Sequence, residues 1–419
     1  MIVRGRLLLT TFSDGVIPLW PSGPLSSREM NHGSNEAGAL ATASPAWEPL
    51  LLKPGFALER KGRFLRVTLH WPHWVLSTSA LQGGLQGGLR YLVNHQSCEA
   101  RDHLERYEFH RRLGIEGYHR AVCAELEIPP GQTAVMGTAA NMNYASVITR
   151  EHGDLEVTAV VTAGVEGNAA CAGDPAQWRE TESEWAKLNP TSGTINTILL
   201  FNRPLTHGAL ARAAVTMTEA KTAALQRLAV ASLYSADLAT GTGTDQYCIA
   251  APAEGSPPLT STSPHVKLGE LIGLAVRDAT LQALRWQNGL EASYTRGLLH
   301  CLRRYGLSES RLYECLAQLL NERQFELFRR NEKSVLYEPL VSAAAYAIAS
   351  VLDRVRYGTL PAGVAGQALR YQGACLAAAV AAQPDHWMAF YQALPQPDPE
   401  RPWLLVCTAL ALGWASKWS

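Results

Sequence analysis

The run Thr194–Phe201, TINTILLF, constrains the fold of this chain more than any other segment. It passes from polar to almost wholly apolar behind Gly193, and a bounded run of that length reads as a strand with most of its surface buried. After the turn RPLT comes Leu205–Leu228. There Leu210, Ala213, Ala214, Met217, Ala220, Ala224, Leu225 and Leu228 recur at three- and four-residue steps, the spacing of one long helix with a buried face. Further strands are expected at FLRVTLH and WVLSTS from Phe64, at Thr133–Thr138, at Leu155–Thr162 and at Gln246–Ala250. Strands interleaved with a long helix predict an α/β or α+β class, a layered sheet-and-helix core.

Composition changes mark the organisation. Ser13–Trp47 is rich in Ser, Gly, Pro, Ala and Asn without a period, so residues 1–49 are expected to be a poorly structured leader. The segment ALQGGLQGGL places two glycine pairs ahead of an amphipathic run through Tyr91 and Val93, read as strands feeding a helix that ends near Asn94 and His95. Pro, Ser and Thr crowd Pro252–Pro264, which predicts a boundary near Ser256. The core is therefore expected over 50–255 and a mainly helical region over 256–419.

Lys plus Arg and Asp plus Glu both number 37, so no global field draws this chain to nucleic acid or an anionic membrane. Its eight cysteines form no CxxC pair and read as reduced core thiols of a cytosolic protein. The apolar patch Leu7–Leu9 is too short for a signal-peptide core. Leu340–Leu352 and Trp403–Trp414 fall short of the ~20 residues of a spanning helix and read as buried helices. A cytoplasmic location without membrane attachment is expected.

Three segments hold residue types that chemistry can use. In a strand from Thr194, Thr194 and Asn196 share a face. A threonine hydroxyl attacks poorly unless a base takes its proton, and one solution is the threonine's own freed α-amine, which requires cleavage between Gly193 and Thr194. A polar strand end capped by turn residues accounts for the same letters. The run ATGTGTD offers the hydroxyls of Thr242 and Thr244, exposed amides and the carboxylate of Asp245, suited to holding a polar ligand; a Gly-rich hairpin fits it as well. It matches no phosphate-loop pattern. In VTAGVEGNAACAGD the side chains of Asn168 and Asp174 stand among small residues that let backbone approach a ligand closely. On the long helix, Glu219 and Lys221 are two residues apart, so at most one faces a site. His70 and His73, split by Pro72 and without nearby carboxylates, do not predict a metal site.

In order, LSTSALQGGL, VNHQ, GTAANM, VTAGVEGNAACAGD, GTINTILL, MTEAKTAAL and ATGTGTD resemble the adenosylcobinamide amidohydrolase family, over about Leu51–Ala253 and on into HVKLGELIG. The resemblance implies hydrolysis of the amide that joins aminopropanol to the corrin ring, converting adenosylcobinamide to adenosylcobyric acid in cobalamin precursor salvage. The partner it implies is a corrinoid small molecule, with no added cofactor because the cobalt belongs to the substrate; a homo-oligomer is compatible with it.

More distantly, NAACAGD, the Gly193–Thr194 junction, the strand, RPLT, the helix and TGTGTD follow the order of the self-processing ornithine acetyltransferases and L-aminopeptidase/D-esterases. That likeness implies Thr194 as nucleophile, with Asn168 and Asn196 contacting substrate or oxyanion. Asp245 with Thr242 and Thr244 would orient the site, and Glu219 would be the acid or base if the α-amine is not free. Asp174, Asn94 and His95 complete the expected substrate contacts. A non-catalytic corrinoid-binding or regulatory protein, or an amidase for another substrate, stands as the alternative.

Overall fold

The computed structural model describes residues 46–98, 103–176, 178–180, 185–187 and 193–417. The expected leader lies almost entirely outside them. In the first half, two sheets stack face to face. One has the order β1-β2-β3-β6-β7, from Glu48–Lys53, Phe56–Lys61, Phe64–Leu69, Tyr91–Gln96 and Thr133–Thr138. The other has the order β5-β4-β15-β13-β9-β8, from Gly84–Gln86, His73–Ser77, Gln246–Pro252, Ile195–Phe201, Leu155–Ala163 and Ser146–His152. The short pairs β10 (Ala169–Ala170) with β14 (Gly241–Thr242) and β11 (Trp178–Glu180) with β12 (Trp185–Lys187) stand apart from them.

Side-chain alternation explains the layering. Leu58, Leu65, Val67, Leu92 and Met136 of the first sheet meet Val160, Ile198, Leu200, Cys248 and Ala250 of the second in one apolar core. The opposite face of the first sheet, with Phe64, Val93 and Val135, is covered by Val122, Cys123 and Leu126 from the end of α1 (His103–Glu125) and the turn after it. The opposite face of the second carries Val157, Ile195, Leu199 and Ile249. They pack against α2 (His207–Arg227) and α3 (Lys267–Asn288). The chain is thus a four-layer helix-sheet-sheet-helix core. Two parallel strand pairs are joined across it by helices, β6 to β7 through α1 and β13 to β15 through α2.

Every residue of β13 is buried, as a strand covered on both faces must be. The RPLT turn supplies Thr206, whose side chain caps α2 by accepting from the Ala209 N–H. The run through Tyr91 and Val93, expected to be a helix, is strand β6. Its Leu92 and Val93 face opposite cores, so the strand buries both faces and its apolar spacing imitates a helix, and Asn94 and His95 sit within a strand.

After the short α4 (Ala292–Thr295), the helices α5 (Leu298–Leu302), α6 (Glu309–Leu319), α7 (Glu322–Leu336), α8 (Pro339–Arg356), α9 (Ala362–Ala381), α10 (Trp387–Ala393) and α11 (Trp403–Lys417) share a separate core around Phe328, Ile348, Leu376 and Trp414. The helix α3, which opens the expected helical region, belongs instead to the sheet layer. Among the described residues no single helix is long and apolar enough to cross a membrane; α7 and α8 pass such a test only as a pair bent by 78°. All eight cysteines are free thiols, five of them buried. In the bundle, α9 and α11 touch at Gly413, where an added Cβ would stand 2.3 Å from the Ala377 carbonyl oxygen. Gly413→Ala should therefore force the helices apart and cost about 1–3 kcal/mol, read as a lowered thermal unfolding midpoint.

Candidate functional site

Six strand ends meet at one edge of the stacked sheets. Strands β6 and β7 end there side by side, with His95 opposite Gly137, and β4 ends beside the start of β15. Strand β9 ends at Ala163 opposite Ile195, where β13 begins in parallel register with β15, Asn196 beside Gln246. The loops that leave these ends carry VTAGVEGNAACAGD and ATGTGTD, and β10 and β14 tie the two loops together, Ala169 opposite Thr242.

The Gly193–Thr194 peptide lies at the centre of that edge. Gly193 has φ 153°, and a Cβ there would stand 3.0 Å from the Gly164 carbonyl oxygen and 3.1 Å from two Asn168 atoms, so glycine alone fits. Its carbonyl oxygen accepts two hydrogen bonds, from Asn168 Nδ2 at 3.0 Å and from Thr244 Oγ1 at 2.9 Å. Thr194 is buried, and its hydroxyl donates to the Thr244 carbonyl at 2.6 Å. The Thr194 carbonyl in turn accepts from the Gly164 N–H at 3.0 Å, extending the ladder one step past the strand. Two side-chain donors thus converge on one carbonyl beside a buried hydroxyl.

Asp245 braces this junction from the adjacent loop. Its Oδ1 accepts from the Ile195 N–H at 2.9 Å and from Thr242 Oγ1 at 2.6 Å. Its Oδ2 accepts from Lys221 Nζ at 2.5 Å and from the Thr242 N–H at 3.1 Å. A carboxylate that accepts from four donors holds the geometry of the groups around it. Gly241 lets the loop pass close to this pair: a Cβ there would stand 2.4 Å from Asp245 Oδ2 and 2.7 Å from Lys221 Nζ and would push the two side chains aside.

Of the expected residues, Thr194, Asn168, Asp245, Thr242 and Thr244 are thus brought together. Glu219 is not. It lies exposed on α2, and Lys221, two positions on, is the charge that turns inward, because two residues rotate a helix by about 200°. Asn196 lies deeper between the sheets, fully buried, its Nδ2 donating to Asn94 Oδ1 at 2.8 Å and to the Gly137 carbonyl at 3.1 Å. Asn94 Nδ2 donates to Thr162 Oγ1 at 2.8 Å. These two amides bond one sheet to the other. His95 is buried as well, stacked on Phe64 and bonded through Nδ1 to the Tyr118 hydroxyl at 2.8 Å, because its strand position faces α1. Asp174 closes its own turn, accepting from the Cys171 N–H and from Ser232 Oγ, both at 2.6 Å. Burial alone would raise its pKa, and the Ser232, Ser235 and Cys171 donors outweigh that and hold the carboxyl below its ordinary value.

Two members of the site were not singled out from the sequence as its parts, Lys221 and Tyr234. The Tyr234 hydroxyl donates to Asn168 Oδ1 at 2.9 Å. Lys221 was visible as the alternative to Glu219, whereas VASLYSADLAT carries no local sign that its tyrosine reaches a loop 66 residues away. Among the described residues, no three His, Cys, Asp or Glu side chains come together as a metal-binding group.

With the fold and this junction in place, comparison with known proteins gives the class, that of hydrolases. The adenosylcobinamide amidohydrolase model matches residues 53–292, more than half of the chain, and the chain belongs to that family. Its name implies a corrinoid small-molecule substrate. The match runs through α3, the last helix of the sheet layer. An uncharacterized protein of Methanocaldococcus jannaschii is 36% identical over 183 residues, 42% of this chain and 71% of that protein. A Pyrococcus horikoshii protein of known crystal structure aligns with a TM-score of 0.27 and 15% identity, over 62% of this chain and 92% of its own.

Lys221→Met should leave the Asp245 carboxylate without its cation and cost about 3 kcal/mol of stability by chemical denaturation. Because the folded pKa of Asp174 is lowered, its stabilisation is present above the unfolded carboxylate value and is lost as pH falls through the folded one. Asp174→Asn should therefore be less stable than wild type at neutral pH, and the gap should close below about pH 4 in unfolding curves.

Proposed function

We propose that this chain hydrolyses the amide linking aminopropanol to the corrin ring of adenosylcobinamide, yielding adenosylcobyric acid, with Thr194 as a nucleophile released by self-cleavage. Family membership supports the substrate. The observation that carries the mechanism is the Gly193 carbonyl held by Asn168 and Thr244 next to the Thr194 hydroxyl.

In the first stage Thr194 Oγ attacks the Gly193 carbonyl carbon, and the developing oxyanion is met by Asn168 Nδ2 and Thr244 Oγ1. The C–N bond breaks, the Thr194 nitrogen takes the proton, and an ester joins Gly193 to Thr194 Oγ. Water hydrolyses that ester, leaving a Gly193 carboxylate and a Thr194 with free hydroxyl and free α-amine. The hydroxyl's partner in the intact chain is a backbone carbonyl, which is no base, and the freed amine supplies one.

In the second stage the substrate carbonyl takes the place of Gly193 over the same two donors. The α-amine accepts the hydroxyl proton as Oγ attacks, then returns it to the departing aminopropanol nitrogen. Water, activated by the same amine, cleaves the acyl ester and releases the corrinoid carboxylic acid. Asp245, Thr242 and Lys221 keep the Thr194–Ile195 backbone in register throughout. No added cofactor enters these steps, and the cobalt travels with the substrate.

Denaturing mass spectrometry of purified protein should find fragments 1–193 and 194–419, and a single intact mass in active protein excludes the free-amine route. Thr194→Ala should stay intact and release no aminopropanol from cobinamide; full turnover by that variant overturns the nucleophile. Asn168→Ala should slow processing and turnover by about 10²–10³. With the amine as base, kcat/KM should rise with pH through about 7.7, the range of an α-amino group.

A further inference from the structure

The loop between α2 and β14, residues 228–240, brings Tyr234 to Asn168, and its outer side is held by the helices that follow the family-matched segment. His300 Nε2 donates to the Leu228 carbonyl at 2.7 Å, and burial, which pushes its pKa down, keeps the ring neutral for that role. Arg304 Nη1 donates to the Ala236 carbonyl at 2.8 Å while both of its terminal nitrogens grip Asp353 at 2.5 and 2.6 Å. Arg356 forks onto both oxygens of Asp237, with Nη1 at 2.9 Å from Oδ2, and the Tyr357 hydroxyl donates to the same carboxylate at 3.0 Å. Residues 300, 304, 356 and 357 all lie beyond 292, where the family match ends.

Hydrogen bonds within the loop link that grip to the site. The Ser232 N–H donates to the Asp237 carbonyl at 2.9 Å, the Tyr234 N–H to Ser232 Oγ at 3.0 Å, and the Leu233 N–H to the Ala169 carbonyl at 2.9 Å. Asp237 and Tyr234 are therefore tied through one serine. The Asn168 amide needs such a tie. Its Nδ2 must point at the Gly193 carbonyl, and a tyrosine hydroxyl donating to Oδ1 fixes which way round the amide stands. Turned over, the same side chain would present an oxygen to an oxygen.

We propose that the helical region beyond residue 292 positions the reaction centre, Arg356 and Arg304 clamping the 228–240 loop so that Tyr234 holds the Asn168 amide with its N–H toward the carbonyl to be attacked. Tyr234, Asp237 and Arg356 are positioning residues that act through Asn168. The bidentate arginine fork suits this work, since it fixes direction as well as distance. The inference rests on the role proposed above for the Asn168 donor.

The test is a double-mutant cycle on corrinoid turnover with Arg356→Ala and Tyr234→Phe, repeated with the near-isosteric Asp237→Asn in place of Arg356→Ala. Each single variant should lower kcat about fivefold or more with a smaller change in KM, as loss of one orienting hydrogen bond allows. Each double variant should be no slower than the slower of its singles. Hydrogen exchange of the 228–240 loop should rise in Arg356→Ala and Asp237→Asn, a readout that needs no reaction. Faster exchange with unchanged kcat, or losses that multiply in the double variants, overturns the proposal. Full turnover by Thr194→Ala would instead defeat the nucleophile assignment, and the coupling between Arg356 and Tyr234 would still decide for or against the clamp.

Discussion

Burial of β13 on both faces is the constraint from which the rest of this structure follows. Seven consecutive residues are buried, with Ile198 and Leu200 against the first sheet and Ile195, Leu199 and Phe201 against the helices. At roughly 1.5–3 kcal/mol for each large apolar side chain removed from water, no alternative register of this strand competes, because a shift by one residue would send Asn196 into the helix-side core. Holding β13 fixed fixes Gly193 and Thr194 immediately before it. The peptide stands where the β9 and β15 loops converge.

A polar seam crosses the otherwise apolar layer between the sheets. Asn94, Asn196, Thr162 and the Gly137 carbonyl bond across it, and Gly137 N–H donates to Gln246 Oε1 at 3.0 Å. Such groups set register, since hydrocarbon packing tolerates sliding and a buried amide does not. Among the described residues Asn196 Oδ1 has no hydrogen-bond partner, a local cost of about 1–3 kcal/mol beside the four bonds of the seam. The seam lies directly behind the Thr194 edge, so the two sheets are locked where their strand ends must stay aligned.

Much of the fold was legible in the residues. The strands at Thr133, Leu155 and Gln246 and the helix from Leu205 announced themselves by period and by turn chemistry, because each buries one regular face or two. Tyr91–Gln96 did not, since a strand buried on both faces loses its alternation and its apolar spacing can imitate a helix. The candidate site was legible to the extent that its groups are local to glycine-rich turns. Gly193, Thr194, Asn168, Thr242, Thr244 and Asp245 sit within such turns, and the turns converge. Glu219, Asn94, Asn196, His95 and Asp174 were equally polar in sequence, and their fates differed only through the direction in which each side chain leaves its element.

By itself, the sequence determined a layered α/β core, a helical second part and a threonine behind a glycine at the head of a buried strand, because these depend on composition and short-range periodicity. The tertiary structure alone decided that two donors converge on the Gly193 carbonyl, that Lys221 rather than Glu219 faces inward, and that Arg356 reaches the loop of Tyr234. Those are relations between segments scores of residues apart. Their distances are set by how layers stack and helices dock, and spacing along a chain does not encode them.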